Sequence, residues 1–328
     1  MSLNKITLDD RELYCEDDES LLDALIRANV EIAHNCRQGR CHNCLVRCLQ
    51  GTPPPGAQKG LREALRHQNY FLACRCFPQQ DVAISLKPVE DCFTEATVIG
   101  KRLLNIDTML VSVRCKAALD HYAGQFVNLK RGDGLTRSYA IANSRIHGEK
   151  LSFHIRRLAG GRFSEWVHQE LNIGDSIAVS EPQGLCYYWP GDKNQGLLLI
   201  GTGSGLAPLA AIAAEALHQG HAGPVHLYHG GGEMDGLYWI DEMMEMASQY
   251  ANFHYTPCVS RGDAPAGVAA GRANNVAMAD MPSLKGWRVY LSGHPEMVDE
   301  TKRMAMLKGA WNQDIYTEAF HFASSTLD

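Results

Sequence analysis

Four cysteines constrain this chain more than any other feature. Residues 35–48 read NCRQGRCHNCLVRC; four residues separate Cys36 from Cys41, two separate Cys41 from Cys44, and twenty-nine lie between Cys44 and Cys74. The first residues, MSLNKITLDD, show neither a positive n-region nor an apolar stretch. That start predicts a cytoplasmic protein whose thiols stay reduced, so clustered cysteines point to metal rather than to disulfides. The spacing suits a loop that wraps three thiolates around two irons and two sulfides, with the fourth supplied by a distant segment. Cys36, Cys41, Cys44 and Cys74 are therefore the expected ligands of a [2Fe-2S] cluster. Gly39 lets the backbone turn tightly there. Backbone N–H groups of such a loop temper the charge on sulfur. A structural zinc site or free thiols are the alternatives, but zinc sites usually show two paired CxxC or CxxH units. Cys74-Arg75-Cys76 is not a second pair, although it leaves open Cys76 as the fourth ligand; Cys48 reads as a small core residue.

At 328 residues the chain is long enough for two or three domains. Its net charge of −6 carries no basic footprint for nucleic acid. The most apolar window, 197–217, is broken by three glycines and Pro208 and carries Glu215, so it reads as strand, loop and helix rather than a membrane span. The pattern changes twice along the chain. Residues 3–86 suggest strands at LNKITL, CLVRCLQG and DVAISL and one helix, with Ser20 as N-cap and Leu21, Leu22, Leu25 and Ile26 as its apolar face. Residues 94–180 hold many short β-like runs (TEATVIG, TMLVSVRC, QFVNLK, RSYAIAN, LSFHIRRL, DSIAVS), the signature of a barrel or sandwich, with one short helix that Ser164 would cap. After residue 196, buried strands (LLLIG, PVHLYHG, FHYTPCV, WRVYLSG) alternate with helical stretches, which argues for a parallel sheet with crossover helices. The expected domains are 1–90, 91–192 and 193–328. The histidines show no metal spacing, and MMEM is read as a helix face packing into the core.

LLLIGTGSGLAPLAA places a glycine loop between a buried strand and a helix, the setting in which glycines admit a pyrophosphate to a helix N-terminus. Three stretches then carry a resemblance. NCRQGRCHNC with FLACRC resembles a plant-type ferredoxin domain, with His42 where a small residue is usual. TRSYAIAN and FHIRRLAGGRFS resemble the two flavin signatures of the ferredoxin–NADP reductase superfamily, and GTGSGLAP with LSGHPEMV resembles its nucleotide motifs. The resemblance implies a multidomain α+β and α/β architecture: a β-grasp ferredoxin domain, an antiparallel β-barrel for FAD and a doubly wound parallel-sheet nucleotide domain. It implies FAD contacts from Arg137, Ser138, Tyr139 and Ala140, with Tyr139 stacking on the isoalloxazine and Arg137 forking onto the diphosphate. Arg156, Gly160, Gly161 and Ser164 would also approach the diphosphate. Ala140 departs from the usual Ser or Thr and removes a hydroxyl near flavin N5. Gly201, Thr202, Gly203, Gly205 and Pro208 would bind the pyridine nucleotide, with Gly293 and Pro295 shaping a second turn beside the nicotinamide.

Hydride transfer needs positioning more than acid–base chemistry. The expected catalytic residues are therefore positioning ones: Tyr139, Ser292 (where relatives have Cys or Ser), Glu318 and Phe320, the last two from an acidic–x–aromatic stretch. NADH is expected, with NADPH the alternative. Ser260–Arg261 could serve a 2′-phosphate, but residues 191–328 hold 15 acids against 8 bases. The domain order resembles reductase components of benzoate, phenol or methane oxygenases. It implies electron flow from NADH through FAD and [2Fe-2S] to an oxygenase component or an intermediate ferredoxin, in a monomer. Arg37, Arg40 and Arg47 lie near the cluster rim, where ordinary solvated arginines are the simpler reading. A reductase for a deoxysugar dehydratase or another iron enzyme is the enzymatic alternative, and an iron–sulfur redox sensor the non-enzymatic one.

Overall fold

The computed structural model describes residues 4–8, 11–32, 34, 37–39, 44–61, 63–86, 93–145 and 150–320. The chain divides into two compact units, Met1–Pro88 and Val89–Asp328. The expected boundary between 90 and 91 falls outside the described residues, as do Cys36, Arg40, Cys41, His42 and the tail after Phe320.

In the first unit, β1 (Asn4–Leu8), β2 (Arg11–Cys15), β3 (Leu45–Gln50), β4 (Tyr70–Leu72) and β5 (Val82–Ser85) form one sheet in the order β2-β1-β5-β3-β4. β1 and β5 run parallel and the other pairs antiparallel, the mixed sheet of a β-grasp. Helix α1 (Leu21–Arg27) starts where the sequence places it: Ser20 Oγ accepts from the Asp23 N–H at 3.2 Å. Its Leu21, Leu22 and Leu25 pack with Ile6, Val46, Phe71 and Ile84 in one core. Helix α2 (Glu63–His67) precedes β4.

The second unit begins with six antiparallel strands: β6 (Phe93–Leu103), β7 (Thr108–Cys115), β8 (Phe126–Lys130), β9 (Thr136–Ala140), β10 (Lys150–Arg156) and β11 (Ser176–Ser180). Their order is β10-β7-β6-β11-β8-β9. The Ala142 N–H donates to the Ser152 carbonyl at 2.7 Å, so the chain just past β9 meets β10 and draws the two edges together as a barrel. Val111, Val113, Val127, Phe153, Ile155, Ile177 and Val179 fill the interior. Helix α3 (Arg162–Gln169) lies between β10 and β11. Its N-cap is Gly161, not Ser164, which is the third helical residue. The Ser164 Oγ turns back, accepting from the Leu158 N–H and donating to the Gly161 carbonyl, each at 3.1 Å.

The rest of the unit is a parallel sheet of β12 (Leu197–Thr202), β13 (Val225–Gly231), β14 (Phe253–Val259), β15 (Ala269–Ala270), β16 (Arg288–Gly293) and β17 (Ile315–Ala319), ordered β15-β14-β13-β12-β16-β17. Helices α4 (Leu206–His218), α5 (Ile240–Gln249), α6 (Ala273–Asp280) and α7 (Pro295–Leu307) provide the crossovers. The order reverses between β12 and β16, which opens a crevice beyond their C-terminal ends. Of the MMEM run only Met243 is buried, while Met244 faces solvent, because α5 offers the sheet a narrow stripe. Among the described residues no helix is long and apolar enough to cross a membrane.

Candidate functional site

The glycine loop leaves β12 at Thr202 and enters α4 through a 3-10 turn, Gly203–Gly205. The facing turn leaves β16 at Gly293. The two turns touch. A Cβ on Gly205 would lie 2.3 Å from the Ser292 carbonyl oxygen, and one on Gly293 would lie 2.4 Å from Thr202 Oγ1. Gly293 also sits at φ +126°, open to glycine and strained for other residues. Thr202 Oγ1 accepts from the His294 N–H at 3.1 Å and fixes the pair of turns.

Beyond them lies a cleft of about 410 Å³. Thr202, Gly203 and Ser204 line it with Gly293, His294 and Phe320, and Gly230–Gly232, Ser260 and Arg272 extend the wall. The barrel contributes Asp107, Thr108 and Arg156. One cleft therefore joins barrel residues to the switch point of the parallel sheet. Its chemistry suits a dinucleotide: glycines and a helix N-terminus for the diphosphate, and cations at both walls.

Arg156 is placed here by β10 and held by Asp107, with Nε 2.7 Å from the carboxylate. Gly203 lies opposite: a Cβ there would be 3.8 Å from the Arg156 guanidinium. The resemblance assigns Arg156 to the FAD diphosphate; the fold sets it on the wall of this cleft, opposite Gly203. Arg272 closes the other wall just before α6, with no ion pair among the described residues. Arg261 lies over Gly232, its guanidinium 2.6 Å from where a Cβ would be, so the bare end of β13 makes room for it.

Of the expected positioning residues only Phe320 lines this cleft; Ser292 on β16 stands in register with Glu318 on β17 outside its lining. Ser292 is fully buried and its Oγ has no hydrogen-bond partner among the described residues. Burial pushes the Glu318 carboxyl up to about 7. The Phe320 N–H donates to the Gly293 carbonyl at 2.9 Å, which holds its ring at the cleft. Gly201 and Pro208 shape the loop rather than line the cleft: a Cβ on Gly201 would meet Leu209 at 2.8 Å, and Pro208 occupies the first turn of α4, where its missing N–H costs nothing. Pro295 is the first residue of α7.

The flavin residues fall on β9 and the loop before α3. Arg137 and Ser138 are exposed, Tyr139 is half-buried against the Phe163 ring at 5.5 Å, and Ala140 is buried. The Arg137 guanidinium donates to the carbonyl of its neighbour Thr136 at 2.8 Å and has no carboxylate partner among the described residues. Gly160, at φ +73°, has open space where a Cβ would be. An exposed arginine fork without a carboxylate partner among the described residues, and an uncovered glycine turn, each suit a diphosphate. Ser164 does not reach toward such a ligand, since its hydroxyl is used within the loop, and the Gly160 N–H is taken by Glu165 at 3.0 Å.

In the first unit Cys44 and Cys74 are buried, at 3% and 7% exposure, and stand at the base of β3 and in the turn after β4. They are joined through the backbone, where the Ala73 N–H donates to the Cys44 carbonyl at 2.9 Å. A thiol pair brought together from two segments fits a metal cluster. Cys76 turns elsewhere. It is fully buried near Cys15 and Cys48, and burial, followed by those neighbours, pushes its thiol up to about 12. Burial also raises Cys15 to about 11. Arg37 is tied to Asp23 at 2.9 Å.

Sequence reasoning missed Asp107, Arg272, Asn274, Glu296 and Glu300 on the cleft wall. Only the glycine run that ends β13, Gly230–Gly232, marks that wall in the sequence.

Three family profiles match the chain: a 2Fe-2S iron–sulfur cluster binding domain at 5–79, an oxidoreductase FAD-binding domain at 95–188 and an oxidoreductase NAD-binding domain at 199–303. The reductase component of a naphthalene 1,2-dioxygenase system from Pseudomonas putida is 30% identical, over 92% of this chain and 93% of that one. The reductase subunit of an aromatic O-demethylase from Amycolatopsis sp. is 30% identical, over 97% and 99%. Among solved structures, an Amycolatopsis cytochrome P450 reductase superposes with a TM-score of 0.68 at 29% identity, covering 97% of this chain and 98% of that one. The ferredoxin reductase of a carbazole 1,9a-dioxygenase gives 0.65 at 26%, covering 98% and 99%. With its iron–sulfur, flavin and nucleotide modules in that order, the chain belongs to the ferredoxin–NAD(P) reductase components of oxygenase systems.

Proposed function

We propose that this chain takes hydride from NADH and delivers electrons, by way of FAD and a [2Fe-2S] centre, to an oxygenase component or an intermediate ferredoxin. The observation that carries this reading is the shared cleft, in which barrel residues Asp107 and Arg156 face the glycine loop of the nucleotide sheet. FAD, when bound, supplies the conversion between a two-electron donor and a one-electron iron–sulfur acceptor.

The chain's own residues do the positioning. The loop at Thr202–Ser204 and the α4 N-terminus take the diphosphate of the dinucleotide. Phe320 lies at the nicotinamide end, with Ser292 and Glu318 in register behind it, and Tyr139 packs the flavin ring. Arg137 with the Gly160–Gly161 turn holds the FAD diphosphate. Cys44 and Cys74, with Cys36 and Cys41, hold the cluster. The modules span 1–90, 91–192 and 193–328.

The test is direct. Purified protein should show flavin and iron–sulfur absorbance and bleach with NADH. Cys44→Ser should abolish NADH-driven cytochrome c reduction while ferricyanide reduction stays within about twofold. Equal loss of both would contradict the path.

A further inference from the structure

His229, on β13, makes two hydrogen bonds, one of which reaches the glycine loop from inside the fold. It is fully buried, and its Nε2 lies 3.2 Å from the Gly203 carbonyl oxygen. That atom can only accept, so Nε2 carries the proton. Nδ1 is then the acceptor for the Tyr255 hydroxyl at 3.3 Å. Burial holds the imidazole down at about 4, so it stays neutral and keeps this tautomer. Beyond it, the Tyr238 ring meets the His229 ring edge-on at 5.4 Å, and the Tyr238 hydroxyl lies 3.0 Å from His154 Nδ1 on barrel strand β10.

A trans peptide is planar, with its C=O and the following N–H pointing in opposite directions. Anchoring the Gly203 carbonyl inward therefore turns the Ser204 N–H outward, and Ser204 lines the cleft. Gly203 stands at φ +54°, a conformation that a glycine can leave easily. The side chain of His229 opposes that freedom.

We propose that His229 is a positioning residue for the dinucleotide: its Nε2–H pins the Gly203 peptide so that the loop presents an N–H to the diphosphate. The assignment rests on NADH binding in this cleft. It uses no contact between His229 and the substrate.

The experiment compares His229→Phe, His229→Gln and Tyr238→Phe in the holoenzyme. It measures KM for NADH, saturated ferricyanide turnover, flavin content and Tm. His229→Phe deletes the donor and should raise KM about tenfold, the equivalent of about 1.4 kcal/mol, with saturated turnover within about twofold. His229→Gln places an amide N–H near the same point and should return KM to within about threefold of the parent. Tyr238→Phe loosens the same packing without touching the loop, and should leave KM unchanged. A parental KM in His229→Phe, equal impairment in the Gln and Phe variants, or an equal KM rise in Tyr238→Phe each overturns the assignment. If His229→Phe does not accumulate, Tyr255→Phe frees the tautomer while keeping the imidazole. It should then raise KM about threefold, and an unchanged KM overturns the proposal. A parent protein that does not oxidise NADH would instead defeat the functional reading itself.

Discussion

At Glu318 the loss of solvation on burial sets the chemistry. Burial pushes its carboxyl up to about 7, from an ordinary value near 4.5. Between those values the folded chain holds a proton that the unfolded chain has released, so stability falls as pH rises through that window and levels off above it. Glu318→Gln cannot titrate. Its Tm relative to the parent should therefore climb between pH 5 and 8, by the equivalent of roughly 2–3 kcal/mol. A difference that stays flat with pH would show that the carboxylate is already charged at pH 5. The sequence marks Glu318 only through its place two residues before Phe320; its desolvation depends on β16 beside it and is not written locally. Arg156 makes the same point. Its motif is legible, but the wall it faces is decided by Asp107, forty-nine positions away.

At the level of elements, the strands and helices that bury a clear stripe were readable, and the turns between them carry the function. The contact between the β12 and β16 turns leaves no space for a side chain at Gly205. Gly205→Ala should lower NADH-dependent turnover at least tenfold while FAD content stays near the parent's, as absorbance and stopped-flow reduction would report. Parental turnover would mean that the two turns separate cheaply. What the sequence hid was mostly at edges. β2 reads RELYC and exposes most of its side chains, β15 has two residues, and β17 lies on the outside of its sheet. Such strands take their conformation from a neighbour and show little periodicity of their own. Helix α6, ANNVAMAD, lacks both a capping side chain and a strong apolar stripe. Ser164 misled for a related reason: Gly161 takes the cap position, where a Cβ would lie 2.6 Å from the serine hydroxyl.

At the scale of the whole molecule, the three-part order was legible because each part has its own periodicity, while the seam joining barrel to nucleotide sheet was not. That seam includes a buried carboxylate inside an apolar helix. Glu215 on α4 accepts from the Ser144 hydroxyl and, at 3.2 Å, from the Arg145 N–H beyond β9. Gln219 also donates to it, at 2.5 Å. In the sequence Glu215 only looks like an obstacle to a membrane span; the fold makes it a tie. Glu215→Ala strands the buried Ser144 hydroxyl and should cost about 1–3 kcal/mol in denaturant unfolding of the barrel–nucleotide unit. A loss below about 0.5 kcal/mol would mean that water replaces the carboxylate.

The deep thiols of the first unit bear on how a cluster is assembled. Burial raises the thiols of Cys15, Cys48 and Cys76 above their ordinary range. Of the seven cysteines in residues 1–88, Cys15 and Cys48 sit within strands β2 and β3, whereas Cys44 precedes β3 and Cys74 lies in the turn after β4. A metal expels a thiol's proton as it binds, so Cys15 and Cys48 are set apart from the expected ligands by where the strands place them rather than by acidity.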